Sequence, residues 1–166
     1  KVGLKIHALA RVSHSMNRDK LRVLMKAFIE SQFSYCPLVW MFHSRTLNNR
    51  INRLHERALR LVYNDSTSSF EELLRKEGSF SIPDRALHKW ATEVYKVKHN
   101  LSPTFMQLIF PLSENAYNLR QDTEFRANRI KTVYHGTDTI RFQGPKVWSC
   151  VPNDIKNANN FIEFKS

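Results

Sequence analysis

The chain has 166 residues, 42% of them hydrophobic and 25% charged, with 4 Gly and 6 Pro, a composition that excludes collagen-like, low-complexity and disordered chains. Its outlying property is charge: 26 Lys+Arg against 15 Asp+Glu give a formal +11 at pH 7, which points to phosphate or another anionic surface as the partner. No run of about 18 apolar residues occurs, so no membrane-spanning helix is expected.

The charge is uneven. Residues 1–63 hold 12 Lys+Arg and 3 Asp+Glu, hence +9, and residues 64–166 hold 14 and 12, hence +2. Asymmetry of this kind points to nucleic-acid or membrane contact by the first part. Cys36 and Cys150 form neither a disulfide framework nor a Cys-x-x-Cys pair. They read as small hydrophobes of an intracellular chain. Beginning at Lys1, the chain reads as processed, trimmed or part of something longer.

Helical spacing appears at once. A first helix is expected over about Gly3–His14, with Ile6, Leu9 and Ala10 on one side. Asn17 has the chemistry of an N-cap for a second helix reaching about Phe33, in which Leu21, Leu24, Met25, Phe28 and Ile29 recur at helical spacing. Pro37 interrupts it, because proline cannot donate to the helical ladder. Leu38–Phe42 continues apolar as a short segment, and Ser44 is placed to cap the next helix.

That next helix carries the strongest periodicity. Leu47, Ile51, Leu54, Ala58 and Leu61 form an apolar stripe, and Arg50, Arg53, Arg57 and Arg60 form a second one centred about 110° away. The arginines are therefore expected at the rim of the buried stripe, where the stem packs and the guanidinium projects.

Beyond it, Asn64–Ser68 reads as a loop and Ser68 or Ser69 caps a short helix that Gly78 ends. Pro83 opens a helix with Leu87, Trp90, Ala91, Val94, Tyr95 and Lys98 on a shared face, and Pro103 and Pro111 bracket another short segment. Residues 112–128 are polar and irregular. Thr132–Tyr134 and Thr139–Phe142 have the pattern of a small hairpin, and Gly144-Pro145-Lys146 turns the chain into a short helix with Val147 and Trp148. Pro152 stops that helix, and helical turns are expected near Ile155 and over Phe161–Phe164. The expected fold is mainly α: a helical bundle over 1–63, a helical extension over 64–111, and a C-terminal extension over 112–166 with a short hairpin and helices.

The chemistry of a phosphoryl-transfer enzyme needs convergent carboxylates. Asp19, Asp65, Asp84, Asp122, Asp138 and Asp154 are scattered, and there is no phosphate loop, no G-x-S-x-G elbow and no H-E-x-x-H. The seven histidines lack ligand spacing with any cysteine, so they are assigned surface or hydrogen-bonded roles, and no metal or other cofactor is expected in this chain. Trp40, Trp90 and Trp148 each stand in apolar context and are expected in the core. The arginine stripe is the positive signal. With Lys20, Arg22 and Lys26 on the preceding helix, Arg50, Arg53, Arg57 and Arg60 are candidates for contact with nucleic-acid phosphates.

Several blocks together carry a resemblance. Leu24–Trp40 (LMKAFIESQFSYCPLVW), Asn52–Arg60 (NRLHERALR), Ala91–Val97 followed by Leu101-Ser102-Pro103, Tyr117–Arg120, Tyr134–Thr137, Gly144–Trp148 with Val151-Pro152, and Phe164-Lys165 stand in one order. That series resembles the region after the catalytic palm in non-LTR retrotransposon reverse transcriptases, above all the jockey- and chicken-repeat-type elements. The Ser81–Arg85 segment departs from the pattern.

The resemblance implies a non-catalytic C-terminal part of an RNA-directed DNA polymerase. The catalytic aspartate pair and its Mg2+ would lie in an upstream palm of the same polyprotein. Residues 1–63 would be the thumb, holding an RNA–DNA hybrid or DNA duplex by backbone contacts, and the setting would be intracellular and nuclear. Two other readings stay open on the residues alone: a structural or protein-interaction module whose basic face meets an acidic partner, and an inactive remnant of a degenerate element.

Overall fold

The computed structural model describes residues 1–112, 125–126, 132, 139–158, 161 and 164. They are mainly helical, as expected, and the chain divides into two compact units, Lys1–Leu87 and His88–Ser166.

The first unit begins with α1 (Val2–Val12), which a short 3-10 turn joins to α2 (Arg18–Met25). Asn17 caps α2 as the sequence indicates, its side chain accepting from the Lys20 N–H at 3.1 Å. One π turn, Lys26–Glu30, follows before α3 (Ser31–Ser34). It brings Ile29 and Glu30 inward together, where a polar side chain would otherwise be expected to face water. Pro37 breaks the run as expected. Cys36 before it takes φ 43°, and α4 (Pro37–Trp40) starts afresh.

The long helix α5 (Arg45–Tyr63) starts at Ser44, whose carbonyl accepts from Leu47 and Asn48 while its side chain makes no cap bond. Asn64 ends it at φ 49°. The turn to α6 (Phe70–Glu77) is organised by Asp65, whose carboxylate accepts from the N–H groups of Thr67 and Ser68, the Ser68 hydroxyl and Lys76 Nζ. The Lys76 ammonium and the Ser68 bonds hold that carboxyl well below the usual range. A reciprocal capping box between Ser69 and Glu72 opens α6, and Gly78 closes it at φ 66°.

The core of this unit is Ile6 and Leu9 of α1, Leu21 and Met25 of α2, Ile29 of the π turn, Ala58, Leu59 and Val62 of α5 and Leu73 of α6. The face that α5 buries differs from the apolar stripe. His55, Ala58, Leu59 and Val62 go inward, whereas Leu47 stays 41% exposed. At about 100° per residue the buried set is centred about 70° from the Leu47–Leu61 stripe. The arginine row is therefore opposite the core and not at its rim. Leu59 and Val62, aliphatic residues outside that stripe, make the difference together with the buried imidazole of His55, while Leu54 and Leu61 of the stripe pack against the core only partly buried.

Helix α7 (Ile82–Lys98) opens with Ser81, whose hydroxyl accepts from the Asp84 N–H and donates to the Asp84 carboxylate. Ala86, Trp90, Val94, Tyr95 and Val97 are buried along it, with Leu87 turned out at 42% exposure.

The second unit is organised around aromatic rings. Trp90 and Trp148 meet edge to face at 6.5 Å, Phe125 lies against Trp148 and against Phe110 at 6.1 Å each, and Phe164 stacks on Tyr95 at 4.3 Å. The Tyr95 hydroxyl donates to the Ala158 carbonyl at 2.8 Å. Helix α8 (Thr104–Ile109) precedes an isolated antiparallel bridge between Leu112 and Phe125.

Two expectations fail here. Ile140–Phe142 are not a strand but the start of α9 (Ile140–Ser149), because the Thr139 carbonyl accepts from the N–H groups of Phe142 and Gln143 and closes a helical turn. Gly144-Pro145 is not a turn either; both lie inside α9, with Gly144 pressed on the Phe110 ring. The other strand of the expected hairpin, apart from Thr132, and the Tyr117–Arg120 block lie outside the described residues. Helix α10 (Asn153–Lys156) follows Pro152.

The tryptophans divide two to one. Trp90 and Trp148 are in the core, while Trp40 is half-exposed, stacked on His43 at 5.7 Å and donating from Nε1 to the Tyr35 carbonyl. Cys36 and Cys150 are free and exposed, not packed as hydrophobes, because both stand at helix boundaries.

Candidate nucleic-acid interface

The seven basic candidates separate into two groups. Arg22 and Lys26 converge on one carboxylate: Arg22 Nε is 2.7 Å and Lys26 Nζ 2.8 Å from Glu77 Oε1. The Tyr63 hydroxyl donates to Glu77 Oε2 at 2.8 Å, and the Glu77 side chain is wholly buried. Burial pushes that carboxyl up, but Lys26, Arg22 and Tyr63 together outweigh it and hold it below its ordinary value. Arg60 is equally occupied, bonding Glu56 Oε1 at 2.8 Å and the carbonyls of Asp65 and Ser68 at 3.3 and 3.0 Å. These three cations fasten helices and a loop inside the first unit.

Arg50, Arg53 and Arg57 are different. They are exposed on α5 and make no hydrogen bond or ion pair among the described residues. Their positions at i, i+3 and i+7 set them on one face over a span of about 10 Å. Lys20, in the first turn of α2, also has an exposed ammonium with no such partner. The acid nearest the arginine row in sequence, Glu56, is bonded to Arg60. The face therefore presents uncompensated positive charge with guanidinium forks, the donor geometry that matches phosphate oxygens.

One constellation has no counterpart in the sequence reading. His55 is fully buried on α5, with Nε2 at 3.3 Å from Glu30 Oε1 but outside hydrogen-bond alignment, and Arg85 Nη1 donates to Glu30 Oε2 at 2.8 Å. Burial pushes the Glu30 carboxyl up, and contact with His55 and Arg85 reverses this, to a value of about 2. Phe70 meets the imidazole edge to face at 5.7 Å. The three residues join the π turn, α5 and α7, which makes them a tie within the unit. Glu30 and Arg85 are 55 positions apart, and no spacing rule links residues so separated.

Among the described residues no group of three or more His, Cys, Asp or Glu is assembled that could hold a metal, and no helix is long and apolar enough to cross a membrane. A scan against protein families, a search of characterised proteins and a search of solved structures each find no match to this chain.

Proposed function

We propose that the outward face of α5 binds the sugar-phosphate backbone of a nucleic-acid duplex, as a thumb-like, non-catalytic part of a non-LTR retrotransposon reverse transcriptase. In that setting the chain would hold an RNA–DNA hybrid or DNA duplex while an upstream palm, with its Mg2+, performs the polymerisation. The observation that carries the reading is the row Arg50, Arg53 and Arg57: three exposed guanidinium groups on one helix face, without an acidic partner among the described residues. A solvated structural face would be expected to pair its arginines with i±3 or i±4 carboxylates. Here that pairing is confined to Arg60 and Glu56.

The face carries no aromatic side chain among these positions, so it offers no stacking platform for unpaired bases. Charge and forked donors favour contacts that position a backbone without reading its sequence. Lys20 contributes a further point charge on α2. Arg22, Lys26 and Arg60 are assigned to the scaffold that holds α5 and α2 in place.

Fluorescence anisotropy with a labelled duplex tests this. At low salt, Arg53→Ala and Arg57→Ala are expected to weaken binding to random-sequence DNA duplex and RNA–DNA hybrid alike, and Arg60→Ala to act through stability alone. Absence of duplex binding at low salt would overturn the reading and leave a protein-interaction role for the same face.

A further inference from the structure

A second surface of the first unit has a different chemistry. Between α1 and α2 runs an open groove of about 260 Å3 lined by Ala8, Leu9, Val12, Leu24, Phe28 and Ile29, with Lys5 at one edge. Phe28 is 55% exposed in it. Isolated apolar residues on a surface are ordinary, but a concave apolar floor edged by charge marks a contact site.

The charge at its edges has one sign. Lys1 lies one turn before Lys5 on the same face of α1, and Lys20 lies one turn before Leu24 on the same face of α2. Among the described residues no carboxylate lines the groove. Of the three acids in residues 1–63, Glu30 is buried against His55 and Arg85, Glu56 is bonded to Arg60, and Asp19 is in the first turn of α2.

We infer that this groove is a docking site for an amphipathic, acidic helix of a protein partner. The volume is below the roughly 300–1,000 Å3 of small-molecule pockets and suits one or two inserted side chains. Apolar anchors at helical spacing fill such a floor, and acidic flanks meet lysines at both ends. A second copy of this chain would bring like charge against like. Bases from a single strand would place their polar edges on an apolar lining that offers them no donors. The inference concerns a surface separate from the arginine row of α5; Lys20 is the one cation the two readings share, and the test turns on Phe28 and Lys5, which the duplex reading does not use.

The test uses the full chain and a fluorescein-labelled peptide of about 18 residues, five helical turns, with Leu at i, i+4, i+7 and i+11 and Glu elsewhere. Two controls share its length: one scrambles the Leu positions and one replaces Glu by Lys. The acidic amphipathic peptide is expected to bind at least about tenfold tighter than either control. Phe28→Ser is expected to weaken it about fivefold or more. Lys5→Glu, which leaves the apolar floor intact, is expected to do the same, whereas Arg53→Ala leaves it unchanged. Equal binding of the scrambled peptide, or indifference to both Phe28→Ser and Lys5→Glu, would overturn the inference. So would self-association by sedimentation that Phe28→Ser abolishes, or tighter Phe28-dependent binding of oligo-dT than of the peptide.

Discussion

Arg22 and Glu77, 55 positions apart in the chain, are joined twice: Arg22 Nε reaches Glu77 Oε1 at 2.7 Å, and Nη2 reaches the Glu77 carbonyl at 3.0 Å. The pair fixes the end of α6 to α2, and Lys26 and Tyr63 close on the same carboxylate.

Removal of the carboxylate should therefore show in stability. Glu77→Ala is expected to cost about 2 kcal/mol in urea unfolding, because it frees two half-exposed cations and leaves the Tyr63 hydroxyl without that partner. The double change Arg22→Ala and Lys26→Ala should cost more, since it strands a buried carboxylate. A double variant as stable as wild type would contradict the role given to Glu77.

Acid should act through Glu30. Its folded-state value, about 2, lies below the ordinary 4.5. A depressed carboxyl contributes stability that is complete above the ordinary value and is lost as pH falls through the window down to about 2. The contribution is on the order of 2 kcal/mol once partial solvent screening is allowed for. Glu30→Gln is expected to lower stability at pH 7 and to flatten the pH dependence across that window, as read by denaturant midpoints. Glu77 and Asp65 are lowered too, so some acid dependence should remain.

Much of the first unit was legible. The cap at Asn17, a serine cap at Ser68 or Ser69, the stop at Gly78 and the break at Pro37 are local chemistry that residue types declare by themselves. What was not legible rests on distant partners. His55 is buried where Glu30 and Phe70 meet it, and with Leu59 and Val62 inward beside it α5 is turned by about 70° from the Leu47–Leu61 stripe. The same rotation moves Arg50, Arg53 and Arg57 from a rim to an outward face, and the partners of Arg22, Lys26 and Arg60 are likewise set by tertiary contact. In the second unit, Thr139–Phe142 carries β-branched and aromatic residues in a strand-like pattern, but the Thr139 carbonyl caps a helix instead.

Packing in the second unit gives an independent check. A Cβ on Gly144 would lie 2.7 Å from Phe110 Cε1, inside van der Waals contact with a ring held against Phe125. Gly144→Ala is expected to destabilise by about 1–3 kcal/mol, measured by thermal unfolding. Phe110→Leu in the same chain should recover part of that loss, and a neutral Gly144→Ala would contradict the packing described.

The capping box offers a smaller, cleaner effect. Ser69→Ala removes the acceptor of the Glu72 N–H and should cost about 1 kcal/mol. Ser69→Asp, which keeps an acceptor, should restore it, with both read from the same urea curves.

The central claim is that Arg50, Arg53 and Arg57 contact phosphates. Its most direct measurement is the salt dependence of duplex affinity for wild type and for the triple change of these residues to Ala. Each phosphate contact contributes about 0.9 to the slope of log K against log[salt] on B-form duplex. The triple variant is expected to lose about 2 to 3 from the slope while keeping its helical content and unfolding midpoint. A slope unchanged from wild type would contradict the account.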